Sequence, residues 1–247
     1  MTEVRSPIDF SGKTVLVIGG SSGIGNGIAR GFLDSGAEVH IWGTKESPES
    51  YAGGDGNFNR LHYQQMNAAD PGAIEAFNPP FKKLDVLVQS QGIILYSRGE
   101  FEVKGFRRVL EVNLVSLMTC AMKFHPLLVE AQGSMIVISS SAVFHATKGN
   151  PAYNASKAGA AGLTRTLGQA WASDGIRVNG IAPGFVETKL TAVTTKNERR
   201  RAEALSRIPI GRFGRVDEVA GIALFLASPM SSFIVGQTLL ADGGMLL

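Results

Sequence analysis

The stretch Thr14-Val15-Leu16-Val17-Ile18-Gly19-Gly20-Ser21-Ser22-Gly23-Ile24-Gly25 decides how this chain folds. Its first five residues are a short, continuous apolar run rich in β-branched side chains, the pattern of a strand covered on both faces. Glycines break the run, the helical spacing Ile28, Phe32 follows within Gly25 to Ser35, and Gly36 supplies a stop. Glycine at a strand-to-helix junction lets the backbone turn sharply and approach a pyrophosphate without a Cβ clash. The free N–H groups of the helix start then add hydrogen bonds and partial positive charge. Gly19, Ser21, Ser22, Gly23, Ile24 and Gly25 are therefore candidate ligand contacts.

Outward from this unit the alternation repeats. A second strand reads at Glu38 to Trp42, and Thr44 to Arg60 reads as a long, polar surface loop. Further strands are expected at His62–Met66, Leu84–Gln89, Met135–Ser139, Arg177–Ile181 and Thr238–Ala241. Helices are expected at Lys104–Ala131, Tyr153–Ala172 and Val216–Ala227. Apolar strands alternating with helices predict an α/β fold, a doubly wound parallel sheet with helices on both faces. No internal repeat or linker divides the chain, so one domain over 1–247 is expected. Glu187 to Arg212 departs from the pattern: it is polar, carries Arg199, Arg200 and Arg201, and ends in Pro209 and Gly211. It reads as a mobile lid over a site, or as a solvated helix on the surface.

The totals narrow the function. The 247 residues carry a formal charge of only +3, too little to argue for nucleic acid. Cys120 is the single cysteine, which excludes an intrachain disulfide or a thiolate cluster. His40, His62, His125 and His145 show no HExxH-type spacing, so no metal site is expected. Glu3, Arg5 and Asp9 are incompatible with the apolar centre of a signal peptide, and no apolar run of about 18 residues is read as a membrane span. A cytoplasmic protein is the expectation.

Tyr153 and Lys157, spaced i and i+4, share one helix face. A phenol with its ordinary pKa of about 10 is a poor base at neutral pH. An ammonium about 4 Å away would favour the phenolate by up to about 4 kcal/mol at an effective dielectric of 20. That predicts a lowered pKa and a general acid/base. Ser139, Ser140 and Ser141 end an apolar strand, where open α/β sheets place ligands, and a hydroxyl there could hold a substrate oxygen.

Together these motifs resemble the classical short-chain dehydrogenase/reductase family, from about Gly12 to Gly244. GxxxGxG matches at Gly19, Gly23 and Gly25, with Ile18 where the family usually has Thr; YxxxK matches at Tyr153-Asn154-Ala155-Ser156-Lys157; and the closing DGG matches at Asp242 to Gly244. VNLVS contains Asn113, and the RVN…PG…T stretch matches at Arg177, Val178, Asn179, Pro183, Gly184 and Thr188. The resemblance implies a Rossmann-like fold, an oxidoreductase interconverting a ketone and a secondary alcohol with a nicotinamide dinucleotide, and a homodimer or homotetramer built on the two long helices. It selects Ser140 to orient the carbonyl and assigns the proton to Tyr153. Lys157 would bind the nicotinamide ribose, Asn113 would hold a water linking Lys157 to solvent, and Pro183, Gly184, Val186 and Thr188 would border the nicotinamide. Two departures stand out. The family's NNAG reads Gln89-Ser90-Gln91-Gly92, leaving Gly92 to permit close approach, and Asn67, followed by Ala68, replaces the adenine-contacting Asp.

The second strand ends in Gly43-Thr44-Lys45 with no carboxylate, which removes the usual repulsion of a 2′-phosphate and predicts NADP(H) over NAD(H), with NAD(H) use still open. Ile94, Leu95, Tyr96, Ala142, Val143, Phe144, His145 and Phe185 are the expected substrate walls. A 3-oxoacyl thioester is the alternative substrate, and a non-catalytic dinucleotide-binding regulator the alternative of another class.

Overall fold

β1 (Thr14–Ile18) is buried along its whole length, and its alternating side chains feed two separate cores. Val15 and Val17 point to one face and Leu16 and Ile18 to the other, as a two-residue period requires. The computed structural model describes residues 8–51, 54 and 56–247. After β1 come α1 (Gly23–Asp34), β2 (Glu38–Gly43), β3 (His62–Gln65), α2 (Pro71–Ala76) and β4 (Val86–Gln89). The chain continues through α3 (Val103–Leu110), α4 (Ser116–Ala131), β5 (Ser134–Ile138), α5 (Pro151–Trp171) and β6 (Arg177–Pro183), then α6 (Ala192–Thr195), α7 (Glu198–Leu205), α8 (Val216–Ala227) and β7 (Thr238–Ala241).

The seven strands form one parallel sheet in the order β3-β2-β1-β4-β5-β6-β7. This is the doubly wound sheet expected. On one face Ile28 and Phe32 of α1 pack with Val219 and Ala223 of α8 against Val15 and Val17. Close approach of these helices depends on Gly27, where a Cβ would lie 2.8 Å from the Val216 side chain. On the other face Leu117 and Phe124 of α4 and Leu167 of α5 cover Leu16 and Ile18. The strand order reverses between β1 and β4, which opens a crevice at their carboxyl ends.

Element ends shift by a residue or two from the sequence expectations, and three differences have a physical reason. The helix expected at Lys104–Ala131 is interrupted by a π-helical turn, Glu111–Val115, centred on Asn113. The helix expected from Tyr153 starts at Pro151, whose missing N–H costs nothing at a first helical position. α2, capped by Asp70 through the Ala73 N–H at 3.0 Å, lies in a segment given no element from sequence.

Val103–Ala131 also meets the length and hydropathy of a membrane span, 1.4 over its most apolar window, where the sequence reading found no such run. Its Leu117, Cys120, Ala121, Phe124 and Leu128 are buried beneath the sheet, the packing of a core helix. Leu117, Ala121 and Leu167, on the two long helices expected to carry a dimer or tetramer, are likewise consumed by this core.

Candidate active site

A cavity of about 540 Å³ runs along the carboxyl ends of β1, β2, β4, β5 and β6. At one end Gly19 turns with φ +78°, and a Cβ there would sit 2.8 Å from the Gln91 nitrogen. A Cβ on Gly25 would sit 2.2 Å from the Gly19 carbonyl oxygen. Both positions therefore require glycine. Ser22 caps α1 with extended backbone and no side-chain hydrogen bond, so the first N–H groups of α1 are left to an anion. Asn26 braces the loop by donating to the Gly20 carbonyl at 3.0 Å.

At the other end, Tyr153, Lys157 and Ser140 share the cavity wall. The three serines closing β5 separate by their partners. Ser139 donates to the Lys157 carbonyl at 2.9 Å and is structural. Ser140 accepts from the Ala142 N–H and bonds the Tyr153 phenol. Ser141 is buried in a short 3₁₀ turn. Lys157 is buried, donates to the Ile138 carbonyl at 2.8 Å, and lies 5.8 Å from the Tyr153 ring centre. Burial depresses its ammonium to about 8.

The Tyr153 pKa goes the opposite way to the sequence expectation. Burial pushes it above its ordinary value, partly offset by the Ser140 hydrogen bond. A charge-only argument from sequence leaves out desolvation, which disfavours the phenolate as well as the ammonium.

Asn113 is fully buried in the π-helical turn, with its amide committed to protein. Its Oδ1 accepts from the Ile93 N–H at 2.8 Å, while Nδ2 donates to the Ile93 carbonyl at 2.9 Å and to Ser156 Oγ at 3.1 Å. The amide thus ties the β4 exit loop to α5. The QSQG departure is accommodated by longer amides. Gln89 donates to the Leu117 carbonyl at 3.0 Å, and Gln91 donates to Ser116 Oγ at 3.0 Å, joining β4 to α4.

Of the remaining candidates, Ser21, Gly23, Ile24, Gly43, Thr44, Asn67, Ala68, Gly92, Ile94, Tyr96, Pro183, Gly184, Val186 and Thr188 line the cavity. Lys45, Leu95, Ala142, Val143, Phe144, His145 and Phe185 do not. Lys45 Nζ donates to the Ser50 carbonyl at 2.5 Å and stacks on Tyr51. Phe185 turns into a separate apolar cluster with Phe213 and Ile208. Ala142 is buried beneath the wall, and Phe144 points to solvent. The His145 ring pairs with its neighbour's carbonyl, Ala146, and the His145 carbonyl accepts from Asn154 Nδ2 at 2.9 Å.

Glu100 is the functional residue that sequence reasoning missed. It is fully buried, and it accepts hydrogen bonds from the Leu95 N–H at 3.0 Å, Asn150 Nδ2 at 3.2 Å and the Tyr153 N–H at 2.9 Å. It therefore caps the first turn of α5 from outside and links that turn to the Ile94–Tyr96 wall. Its partners lie up to 53 residues away, so no local pattern exposes it. Thr188 to Thr191 close the cavity, and the Tyr96 hydroxyl donates to the Leu190 carbonyl at 2.8 Å across its mouth.

A family model described as enoyl-(acyl carrier protein) reductase matches residues 18–246. A 3-oxoacyl-(acyl-carrier-protein) reductase of Chlamydia pneumoniae is 38% identical over 250 residues, covering 96% of this chain and 98% of the relative. A 2-dehydro-3-deoxy-D-gluconate 5-dehydrogenase of Bacillus subtilis is 35% identical, covering 100% and 99%. The crystal structure of a gluconate 5-dehydrogenase from Burkholderia cenocepacia in complex with NADP and tartrate superposes with a TM-score of 0.87 at 30% identity, covering 97% of both chains. The chain belongs to the short-chain dehydrogenase/reductase family. It is an oxidoreductase that uses a nicotinamide dinucleotide to interconvert a ketone and a secondary alcohol.

Proposed function

We propose an NADP(H)-dependent reductase of small ketones, with Tyr153 as the proton donor and Asn113, Ser140 and Lys157 completing the catalytic set. The observation that carries this reading is one continuous cavity, with the glycine turn and the open end of α1 at one end and Ser140, Tyr153 and Lys157 at the other. The bound cofactor supplies the hydride to the carbonyl carbon. Ser140 and Tyr153 hold the carbonyl oxygen between two hydroxyls, and Tyr153 gives it the proton that completes the alcohol. Lys157 holds the ribose and, while charged, stabilises the phenolate left on Tyr153. Asn113 keeps α5 in register with the β4 exit loop. With its amide committed, any water relaying protons to Lys157 is held by backbone of the π-helical turn, where the ordinary helix ladder is interrupted.

NADP(H) preference rests on the β2 exit Gly43-Thr44-Lys45, which holds no carboxylate and where Thr44 lines the cavity and Lys45 follows it. The NADP-bound relative is consistent with it. Thr188 to Thr191 and the helices α6 and α7 act as a lid, held by the Tyr96–Leu190 hydrogen bond. Lys189, between Thr188 and Leu190, also lines the cavity, and its ammonium would be the cation met by a substrate there. That favours a ketone bearing an anionic group, which sugar acids carry directly and carrier-linked 3-oxoacyl thioesters carry as a phosphodiester. We place the enzyme in the cytoplasm and expect a homo-oligomer.

The test is initial rates of NADPH oxidation on a panel of keto sugar acids, 3-oxoacyl thioesters and neutral ketones. Turnover of at least one class supports the reading, with the anionic classes preferred. No turnover on any class, with NADPH still bound, would favour the regulator.

A further inference from the structure

Glu38 and His40 stand two residues apart on β2, so the strand period puts both on one face. β3 runs parallel beside it, and the register pairs His62 with His40. Three metal-ligating side chains thus converge on one face of the sheet edge. His40 Nε2 lies 3.4 Å from Glu38 Oε1, His62 Nε2 lies 3.6 Å from the same oxygen, and one donor atom from each residue falls within 4.8 Å of the others.

Ligand atoms at 2.0–2.1 Å around a tetrahedral Zn²⁺ are about 3.3–3.4 Å apart by simple geometry. Two edges of the triangle are close to that spacing. The third closes by a turn of the His62 ring, whose side chain is largely exposed. The surroundings favour a bound cation too. His40 Nε2 is buried and makes no hydrogen bond among the described residues, the 3.4 Å approach to Glu38 being long for one. A buried nitrogen without a partner is costly, and a metal bond would remove that cost. His62 stacks on His40 at 4.6 Å, Phe81 packs on the His40 ring at 4.9 Å, and a cavity of about 280 Å³ adjoins Glu38, His40 and His62.

We propose that Glu38, His40 and His62 form a transition-metal site of the Zn²⁺ type that pins the edge strand β3 to β2. Two imidazoles and one carboxylate select a borderline divalent ion over Mg²⁺ or Ca²⁺, and the solvent side leaves the fourth position to water. Its role is structural. Glu38 opens β2, whereas Gly43 at the far end of the strand reaches the catalytic cavity, a separation of about 16 Å for five residues.

The test is calorimetric titration of the chelator-stripped full chain with ZnCl₂, repeated on His62→Ala and Glu38→Gln. Both side chains are largely exposed, so their loss leaves the core untouched, and circular dichroism checks this. One Zn²⁺ per chain is expected at micromolar or tighter Kd, with MgCl₂ giving no heat. Each variant should bind at least tenfold more weakly while keeping wild-type kcat/KM. At a hundredfold excess over Kd, Zn²⁺ should raise the wild-type Tm by about 5–10 °C. No binding at about 100 μM Zn²⁺ would overturn the proposal. So would affinity unchanged in both variants, which would assign the metal to another histidine.

Discussion

Lys157 is a cation placed where the fold would be more stable without one. Burial holds its pKa at about 8 against an ordinary 10.5, a difference worth about 3 kcal/mol against folding when the group is charged. Because the unfolded chain holds this proton more tightly, unfolding takes up a proton between pH 8 and 10.5. The penalty is full below pH 8 and fades as pH rises through that window. Lys157→Met should therefore raise Tm at pH 7, by about 5 °C or more, while abolishing turnover. Thermal denaturation at pH 7 checks this, and a lower Tm would contradict it. Glu100 is the converse, a buried anion whose hydrogen bonds place the first turn of α5. Glu100→Gln puts an amide NH₂ where an acceptor is needed. We expect kcat to fall about tenfold or more, because small misplacements of an acid are costly, with NADPH affinity unchanged. Steady-state kinetics with a direct binding titration would read the split. A loss of NADPH affinity equal to the loss in kcat would refute the positioning role.

Among the elements, the proposed preference for NADP(H) belongs to the exit of β2. The 3₁₀ turn Pro48–Tyr51 folds back over it. The Tyr51 hydroxyl accepts from the Lys45 N–H at 3.1 Å, and Lys45 Nζ rests on the Ser50 carbonyl and the Tyr51 ring. The Lys45 cation is thus held by this turn, one residue beyond Thr44, which lines the cavity. Lys45→Ala should weaken kcat/KM for NADPH by about tenfold and leave NADH nearly unchanged. A wild-type preference for NADH above tenfold would reverse the assignment. These details mark where sequence reading stops. The glycine turn and the Tyr153–Lys157 pair are legible because each is a local spacing on one element. The Glu38, His40 and His62 cluster depends on strand register, and Glu100 on partners half a hundred residues away. Histidine spacing of the helical kind and a cysteine count cannot see two strands side by side. The upward push on the Tyr153 pKa comes from burial, which is not written in the i, i+4 spacing. Which side chains after Ser141 face the cavity depends on the path of the backbone, which leaves Phe144 exposed.

For the whole molecule, the exposed apolar residues point to self-association. Val115, Met118, Met122 and Val129 form one stripe along α4 and the π-helical turn before it. On α5 the small residues Ala155, Ala158 and Gly162 lie outside the buried set, so a second copy could approach closely. Light scattering should give a multiple of 26.2 kDa, and Met122→Glu should shift it toward the single chain. A wild-type mass of one chain at micromolar concentration would contradict this.

The central claim is that one phenol delivers the proton at the end of a dinucleotide cavity. Tyr153→Phe removes that oxygen alone and leaves the glycine turn, Lys157 and the sheet untouched. With the best ketone of the panel and NADPH, we predict that kcat falls by about 10²–10⁴ while NADPH Kd, measured by fluorescence, stays within a factor of about three. A variant that retains activity within a few-fold of wild type would contradict the account.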